Sequence, residues 1–212
     1  MKKISLIIPI FNEEDNIRIL YNEIQKTNVF NKLDEIICID DCSTDNSKRE
    51  LLELKALNKK IKILFHEVNL GQSKCIYDAA QNTESDILIT IDADCQNNPN
   101  DIEKLLNVYL LSDETSLVGG IRRNRKDDTI KKISSKIANF VRRLYLNDDC
   151  EDTGCSLKVF DKSLFLNLPF FDGIHRFLPA LFKFQGSKNI FIDVDHRKRL
   201  KGISKYGFNN RF

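Results

Sequence analysis

Asp92 and Asp94, one residue apart, follow an apolar run and are themselves followed by Gln96. Earlier in the chain Asp40 and Asp41 close a second apolar run, and Glu13 and Glu14 come soon after a third. An Asp-x-Asp pair alone arises often by chance on solvated loops. After a buried strand, with a second acidic pair after an earlier strand, it says more, because crowded carboxylates repel one another unless a cation neutralises them. Hard oxygen ligands with no His or Cys among them favour Mg²⁺ or Mn²⁺ over zinc. Such an ion normally keeps positions open for substrate phosphates. The chain has no Walker-type glycine loop, so the pattern points to a nucleoside diphosphate held through a divalent metal.

The elements that must position these groups are legible in the first half. Apolar runs at 4–10, 35–39, 61–65, 87–91 and 116–119 alternate with helix-like stretches at 14–27, 46–57, 72–82 and 100–111. Continuous apolar runs without period-two alternation fit strands covered on both faces, and the βαβα order predicts a doubly wound, mainly parallel, Rossmann-like α/β sheet. In such a sheet ligands bind beyond the carboxyl ends of the strands, which sends all three acidic clusters to one rim. Ser43-Thr44-Asp45-Asn46 and Pro99-Asn100-Asp101 supply helix-start signals. The second half is less regular, with a basic amphipathic helix at 129–146, strands at 155–160 and 190–194, and a helix around 174–185. There is no internal repeat or linker, so 1–212 reads as one domain, a nucleotide half to about residue 120 and an acceptor half after it.

Composition narrows the class. The chain has 212 residues, 42% hydrophobic and 30% charged, with eight Gly and four Pro, which excludes collagen-like and disordered chains. No window approaches the ~18 apolar residues of a membrane-spanning helix. The apolar start is too short for a signal peptide and lacks a small-residue cleavage site, which places the chain in the cytosol. The six cysteines form no C-x-x-C pair and read as small buried hydrophobes. The net charge of +2 hides an asymmetry: residues 121–143 carry a local +7 and 196–212 a local +6, leaving −11 for the remainder. Two basic segments on an otherwise acidic chain imply an anionic partner.

The stretches IIPIFNEEDNI, IDDCSTDNS, NLGQSKC, DADCQNNP, GGIRRNRKDD, DTGCSLKVF, HRFLPAL and RKRLKGISKYGF, in this order, carry a resemblance. The chain resembles family 2 glycosyltransferases of the GT-A fold, in the branch similar to dolichol-phosphate mannose synthase and bacterial undecaprenyl-phosphate sugar transferases. The resemblance runs from residue 4 to 208, and its last three stretches are the most branch-specific. It implies that Pro9, Phe11, Glu13, Ile39 and Asp41 surround the base and ribose, with Asp41 as a base acceptor. It implies a metal and diphosphate site at Asp92, Ala93, Asp94 and Gln96, with Asp94 and Gln96 as direct ligands. Arg122, Lys131, Ser135 and Arg199 match positions holding the acceptor phosphate and donor diphosphate, and Lys205 a further phosphate contact. All four basic residues fall in the two basic segments.

The activity so implied is inverting, Mg²⁺- or Mn²⁺-dependent transfer of a sugar from a UDP- or GDP-sugar to a polyprenyl phosphate. The implied setting is the inner face of the membrane, with the chain attached peripherally and room for a homo-oligomer. A phosphate oxygen is anionic near neutral pH and needs no strong base, so positioning and charge neutralisation carry that reaction. A saccharide or other hydroxyl acceptor would need a carboxylate base, and Asp152 is the candidate. A reading of another class, a basic membrane- or nucleic-acid-binding protein, leaves the acidic clusters unexplained; nucleic acid is not an expected partner. His175 is expected to be structural or at most an acceptor-side contact, and His66 and His196 to sit at the surface or at strand ends. Phe170 and Phe171 are expected to pack, with lipid contact as the alternative. Cys42 stands where the family usually has Gly, which is awkward if the position needs positive φ. Many relatives continue beyond this point into transmembrane helices.

Overall fold

The computed structural model describes residues 2–112, 115–123, 150–199 and 201. Seven strands form one sheet: β1 (Ile4–Ile10), β2 (Glu35–Asp40), β3 (Ile61–Phe65), β4 (Ile87–Thr90), β5 (Thr115–Ile121), β6 (Lys158–Asp161) and β7 (Lys188–Asp193). Their order is β3-β2-β1-β4-β6-β5-β7. β3, β2, β1 and β4 pair in parallel, and β7 pairs in parallel with β5. β6 alone runs the other way, antiparallel to both β4 and β5. The doubly wound, mainly parallel α/β expectation therefore holds.

Helices cover both faces because the central strands are apolar on both. On one face α1 (Glu14–Gln25), α2 (Ser47–Leu57) and α4 (Asn100–Leu111) bury Ile17, Leu20, Leu51, Leu54, Ile102 and Leu105 against β1, β2 and β4. On the other, α3 (Gln72–Gln81), α5 (Lys162–Leu166) and α6 (Ile174–Phe184) bury Ile76, Phe165, Leu178 and Phe182 against Ile7, Ile37 and Leu88. Among the described residues no helix is long and apolar enough to cross a membrane.

The sequence reading differs from the structure where periodicity is weakest. β6 begins at Lys158 rather than 155, because residues 152–155 form a turn closed by Cys155 N donating to Asp152 O at 3.2 Å. The five-residue α5, capped by the Asp161 side chain on Leu164 N at 3.0 Å, is too short to show a period, as is the 3₁₀ turn Asn28–Lys32. The expected helix at 129–146 lies outside the described residues.

The helix-start signal after β2 acts both locally, where Asp45 Oδ1 accepts from Ser47 N at 2.9 Å, and across space. Neither α1 nor α2 has a side-chain bond from its own N-cap. Ser43 Oγ accepts from Asn12 N (2.8 Å), Ser47 Oγ from Glu13 N (2.9 Å) and Asp45 Oδ2 from Glu14 N (3.1 Å). In return Asn12 Oδ1 accepts from Thr44 N (2.6 Å) and Glu14 Oε2 from Asn46 N (2.7 Å). The two loops thus satisfy each other's backbone amides, that of Glu14 at the first residue of α1 among them, and are tied together at the rim.

Candidate nucleotide and metal site

Every strand but β6 ends at this rim, so the loops after β1 to β4, Arg122 and Arg123 after β5, the turn before β6 and the segment after β7 meet there. The loop after β4 carries Asp92 and Asp94. Gln72 Nε2 donates to Asp92 Oδ1 at 2.7 Å, and the Asp92 amide lies 3.3 Å from Ser156 Oγ. Asp94 Oδ1 accepts from the Gln96 amide at 3.1 Å, which bends the loop back on itself. Desolvation, followed by the repulsion of Asp94, raises the Asp92 pKa from 3.8 to about 6; Ser156, Lys158 and Arg122 pull the other way without cancelling it. Two carboxylates so close, one short of compensating charge, fit a hard divalent cation. Asp92, Asp94 and Gln96 would hold it. Gln96 Nε2 donates to Arg197 O at 3.3 Å, which leaves the side-chain carbonyl as its ligating atom.

Arg199 closes the site from the segment after β7. Its Nη2 donates to Glu13 Oε1 at 2.8 Å and reaches Asp94 Oδ2 at 3.4 Å. The segment is aimed by Arg197, whose guanidinium grips Glu23 through Nη1 (3.0 Å) and Nη2 (2.6 Å), and by a backbone bridge between Asn97 and His196. Glu13 is buried and also accepts from Asn16 Nδ2 at 2.6 Å, so it acts as a fixed counter-charge for Arg199.

Arg122, at the end of β5, lies against Asp152. Nε donates to Asp152 Oδ2 at 2.7 Å and Nη2 to Oδ1 at 2.8 Å, a bidentate clamp with both side chains mostly buried. Gly154 makes room for it: a Cβ there would stand 2.9 Å from Arg122 Nη2.

Asp41 is buried and strongly engaged. Its oxygens accept from Leu70 N (2.9 Å) and Gly71 N (2.8 Å), and Oδ1 lies 2.7 Å from His66 Nδ1. Gly71 has φ +83°, which turns its amide toward the carboxylate and suits glycine. His66 is correspondingly more than a strand-end residue, since its Nε2 lies 3.1 Å from Asp78 Oδ2 and it bridges two acids. His196 is buried rather than at the surface. His175 Nδ1 lies 2.6 Å from Ser73 Oγ; burial, then Lys158 and Arg176, lowers its pKa to about 3, so it is a neutral imidazole holding α6 to α3.

The structure thus brings together Glu13, Asp92, Asp94, Gln96 and Arg199, with Arg122 and Asp152 beside them and Asp41 on the loops toward β2 and β3. Pro9 and Phe11 are half-buried at the end of β1, whereas Ala93 is buried and Ile39 wholly so, shaping the floor from beneath. Lys131, Ser135 and Lys205 lie outside the described residues. Sequence reasoning missed Lys158, which is buried in β6 with its ammonium on the carbonyls of Cys155 and Thr153 (3.5 Å to the latter). Its pKa is lowered by burial, with Asp152 and Asp92 among the acids opposing that. A lone Lys inside the apolar LKVF run was the available signal.

A mainly parallel sheet with paired aspartates, a buried glutamate and two arginines on its carboxyl rim defines an α/β site for an anionic, metal-bridged ligand. The chain belongs to glycosyl transferase family 2, whose sequence model matches residues 5–168. Curated relatives include the undecaprenyl-phosphate 4-deoxy-4-formamido-L-arabinose transferases of Pectobacterium carotovorum and Pectobacterium atrosepticum. Each is 33% identical over 211 residues, 98% of this chain. The chain spans 64% of the length of those relatives. Among solved structures, the glucosyl-3-phosphoglycerate synthase of Mycobacterium tuberculosis with Mn²⁺, UDP and phosphoglyceric acid matches with a TM-score of 0.72. It is 20% identical and covers 93% of this chain and 72% of its own. The same synthase with Mg²⁺ and UDP also gives 0.72 at 20% identity, with the same coverage. These likenesses establish the GT-A fold.

Proposed function

We propose that the chain transfers a sugar from a UDP- or GDP-sugar to a polyprenyl phosphate, with inversion, using Mg²⁺ or Mn²⁺ at the cytoplasmic face of a membrane. The observation that carries this reading is the convergence of Asp92, Asp94 and Gln96 with Arg199 and the clamped Arg122 on one rim. The names of the curated relatives support the acceptor, and the metal and UDP of the solved synthases support the donor side.

A divalent ion held by Asp92, Asp94 and Gln96 would supply positive charge to neutralise the leaving diphosphate. Around it, the chain's own residues orient and balance charge. Arg199, backed by Glu13, faces the diphosphate or the incoming phosphate. Arg122, whose Nε and Nη2 are held by Asp152, is assigned to the acceptor phosphate. One acceptor oxygen forms the new bond to the sugar C1 as the bond from C1 to the diphosphate breaks, which inverts that centre. Asp41 and its loops shape the base site together with Pro9, Phe11 and Ile39. Lys131, Ser135 and Lys205 are assigned to the phosphates on the resemblance alone. Asp152 is read as the anchor of Arg122, because a bidentate guanidinium occupies the carboxylate oxygens that a base would use.

Transfer from a panel of UDP- and GDP-sugars to a short-chain polyprenyl phosphate, with Mn²⁺ and with EDTA, tests the proposal. The expected result is a metal-dependent glycolipid from one donor, lost in Asp94→Ala. Undiminished glycolipid formation in EDTA or in Asp94→Ala would overturn the metal assignment. Transfer to a saccharide and not to the lipid phosphate would overturn the acceptor.

A further inference from the structure

Asp41 is the acceptor that the resemblance assigns to the base, and its two oxygens are not equally open. Oδ1 accepts from Leu70 N at 2.9 Å and faces His66 Nδ1 at 2.7 Å, whereas Oδ2 accepts from Gly71 N at 2.8 Å. Among the described residues no other group bonds this carboxylate. A carboxylate has about four lone-pair positions, shared equally between its oxygens. Both positions on Oδ1 are therefore taken, and Oδ2 keeps one. The count does not depend on where the proton between His66 and Asp41 sits. On nitrogen it is donated to Oδ1, and on oxygen it is donated by Oδ1; either way that direction is closed to a ligand.

His66 is held in this position from two sides. Its backbone amide donates to Asp40 O at 2.9 Å, which carries the β2–β3 pairing past Phe65. Its Nε2 lies 3.1 Å from Asp78 Oδ2 on α3, and Asp78 is itself paired with Lys74 one turn earlier. The Lys74 ammonium stands 5.6 Å and 5.8 Å from the ring centroids of Tyr77 and Phe170. Phe170, expected to pack, lies on Tyr77 with ring centroids 5.0 Å apart. The buried Cys75 places its Sγ 4.0 Å from His66 Nδ1.

Nucleobases differ in how many donors they show such a carboxylate. Guanine offers N1–H and an N2 amino hydrogen side by side, a pair that needs a free position on each oxygen. Uracil offers a single N3–H between two carbonyls. We propose that His66 restricts Asp41 to one donor and so makes the site a reader of uracil, with a UDP-sugar rather than a GDP-sugar as substrate. The inference rests on the transferase reading, which leaves the base open between the two. A guanine set against Asp41 turns one N–H toward an oxygen with no position left, and a buried donor without an acceptor is strongly disfavoured.

Calorimetric titration of the full chain with UDP, GDP and CDP, each with Mn²⁺, tests this. UDP is expected to bind at least on the order of tenfold tighter than GDP. It is also expected to bind tighter than CDP, whose base matches uracil in size but carries no proton at N3. His66→Phe fills the same space without a ring nitrogen and opens Oδ1, so it is expected to narrow the UDP-to-GDP ratio on the order of tenfold. His66→Asn, whose amide nitrogen takes the place of Nδ1, is expected to keep the wild-type ratio. GDP or CDP binding as tightly as UDP would overturn the assignment, and this wild-type comparison stands even where a variant folds poorly. An unchanged ratio in His66→Phe, with UDP and GDP weakened alike, would also overturn it. So would equal narrowing in His66→Phe and His66→Asn, which would make ring shape and not the Nδ1 contact decisive. Wild-type chain that binds none of the three nucleotides would overturn the transferase reading itself, whereas failure of the base assignment alone leaves nucleotide binding intact.

Discussion

At the scale of single residues, Arg122 and Arg199 on the rim are paired with Asp152 and Glu13, whereas burial and Asp94 outweigh the groups that favour a charged Asp92. Asp92 shows the consequence most directly. Its pKa stands near 6 in the folded chain, through burial first and Asp94 second, against 3.8 as the ordinary value. The folded state therefore binds this proton more tightly than the unfolded state, and stability falls as pH rises from about 4 to about 6. Urea denaturation in EDTA across that window is expected to show a loss on the order of 1 kcal/mol, which millimolar Mn²⁺ restores and which Asp92→Asn lacks. No loss in the EDTA series would mean that Asp92 is balanced within the protein. The acidic pairs were legible in the sequence because their types and spacing are unusual after apolar runs, whereas Arg122 and Arg199 were singled out by the family resemblance. Lys158 and the bridging role of His66 were not, because a side chain's value there depends on what the sheet brings opposite it.

At the scale of elements, the first two helices are held by each other's loops, so the positions joining them tolerate little change in backbone. Among the described residues three non-glycine positions adopt left-handed backbone, Asn12 (φ 53°), Cys42 (φ 62°) and Cys95 (φ 59°), one in each loop after β1, β2 and β4. The awkwardness expected of Cys42 is thus real: its φ is positive. Asn tolerates this region through its short polar side chain, which here also accepts from Thr44 N in the loop before α2; cysteine has no such advantage. Cys42→Gly is expected to raise stability by up to about 1 kcal/mol, the relief of strain being partly offset by the greater freedom of glycine in the unfolded chain. A lower melting temperature in that variant would show that the contact of Cys42 Sγ with Glu67 O, at 3.3 Å, outweighs the strain. Sequence pattern located the strands and helices of the first half closely because each is long and strongly apolar. It placed β6 less well because a buried turn and a buried strand look alike in composition.

At the scale of the whole molecule, β6 decides whether the nucleotide half and the acceptor half are separate bodies. It lies between β4 and β5, so neither half can unfold without stripping a partner from the other. We expect one cooperative transition for the chain, in keeping with a single domain. Phe160 sits at the centre of this join, fully buried, its ring 5.3 Å from that of Phe165 and 6.0 Å from that of Phe182. Phe160→Ala is expected to cost about 3–5 kcal/mol. Its loss is expected to appear as one earlier transition by both circular dichroism and Tyr fluorescence. Two separated transitions would divide the chain into two domains. The chain order of the strands gave the parallel half away, whereas the reversed strand had no local signature because direction is set by pairing across the sheet.

The same strand order has a consequence for birth on the ribosome. β1 to β4 are made first and can pair as a four-stranded unit, but the neighbour of β4 is β6, which follows β5 in the chain. Until Lys158–Asp161 emerges, β4 presents a bare, apolar edge of the kind that recruits foreign strands. At about 5–20 residues per second that interval lasts several seconds, a period of vulnerability fixed by topology. Slow codons placed before β6 would lengthen the exposure of that one strand edge, and a chaperone that shields unpaired strands would be expected to act there.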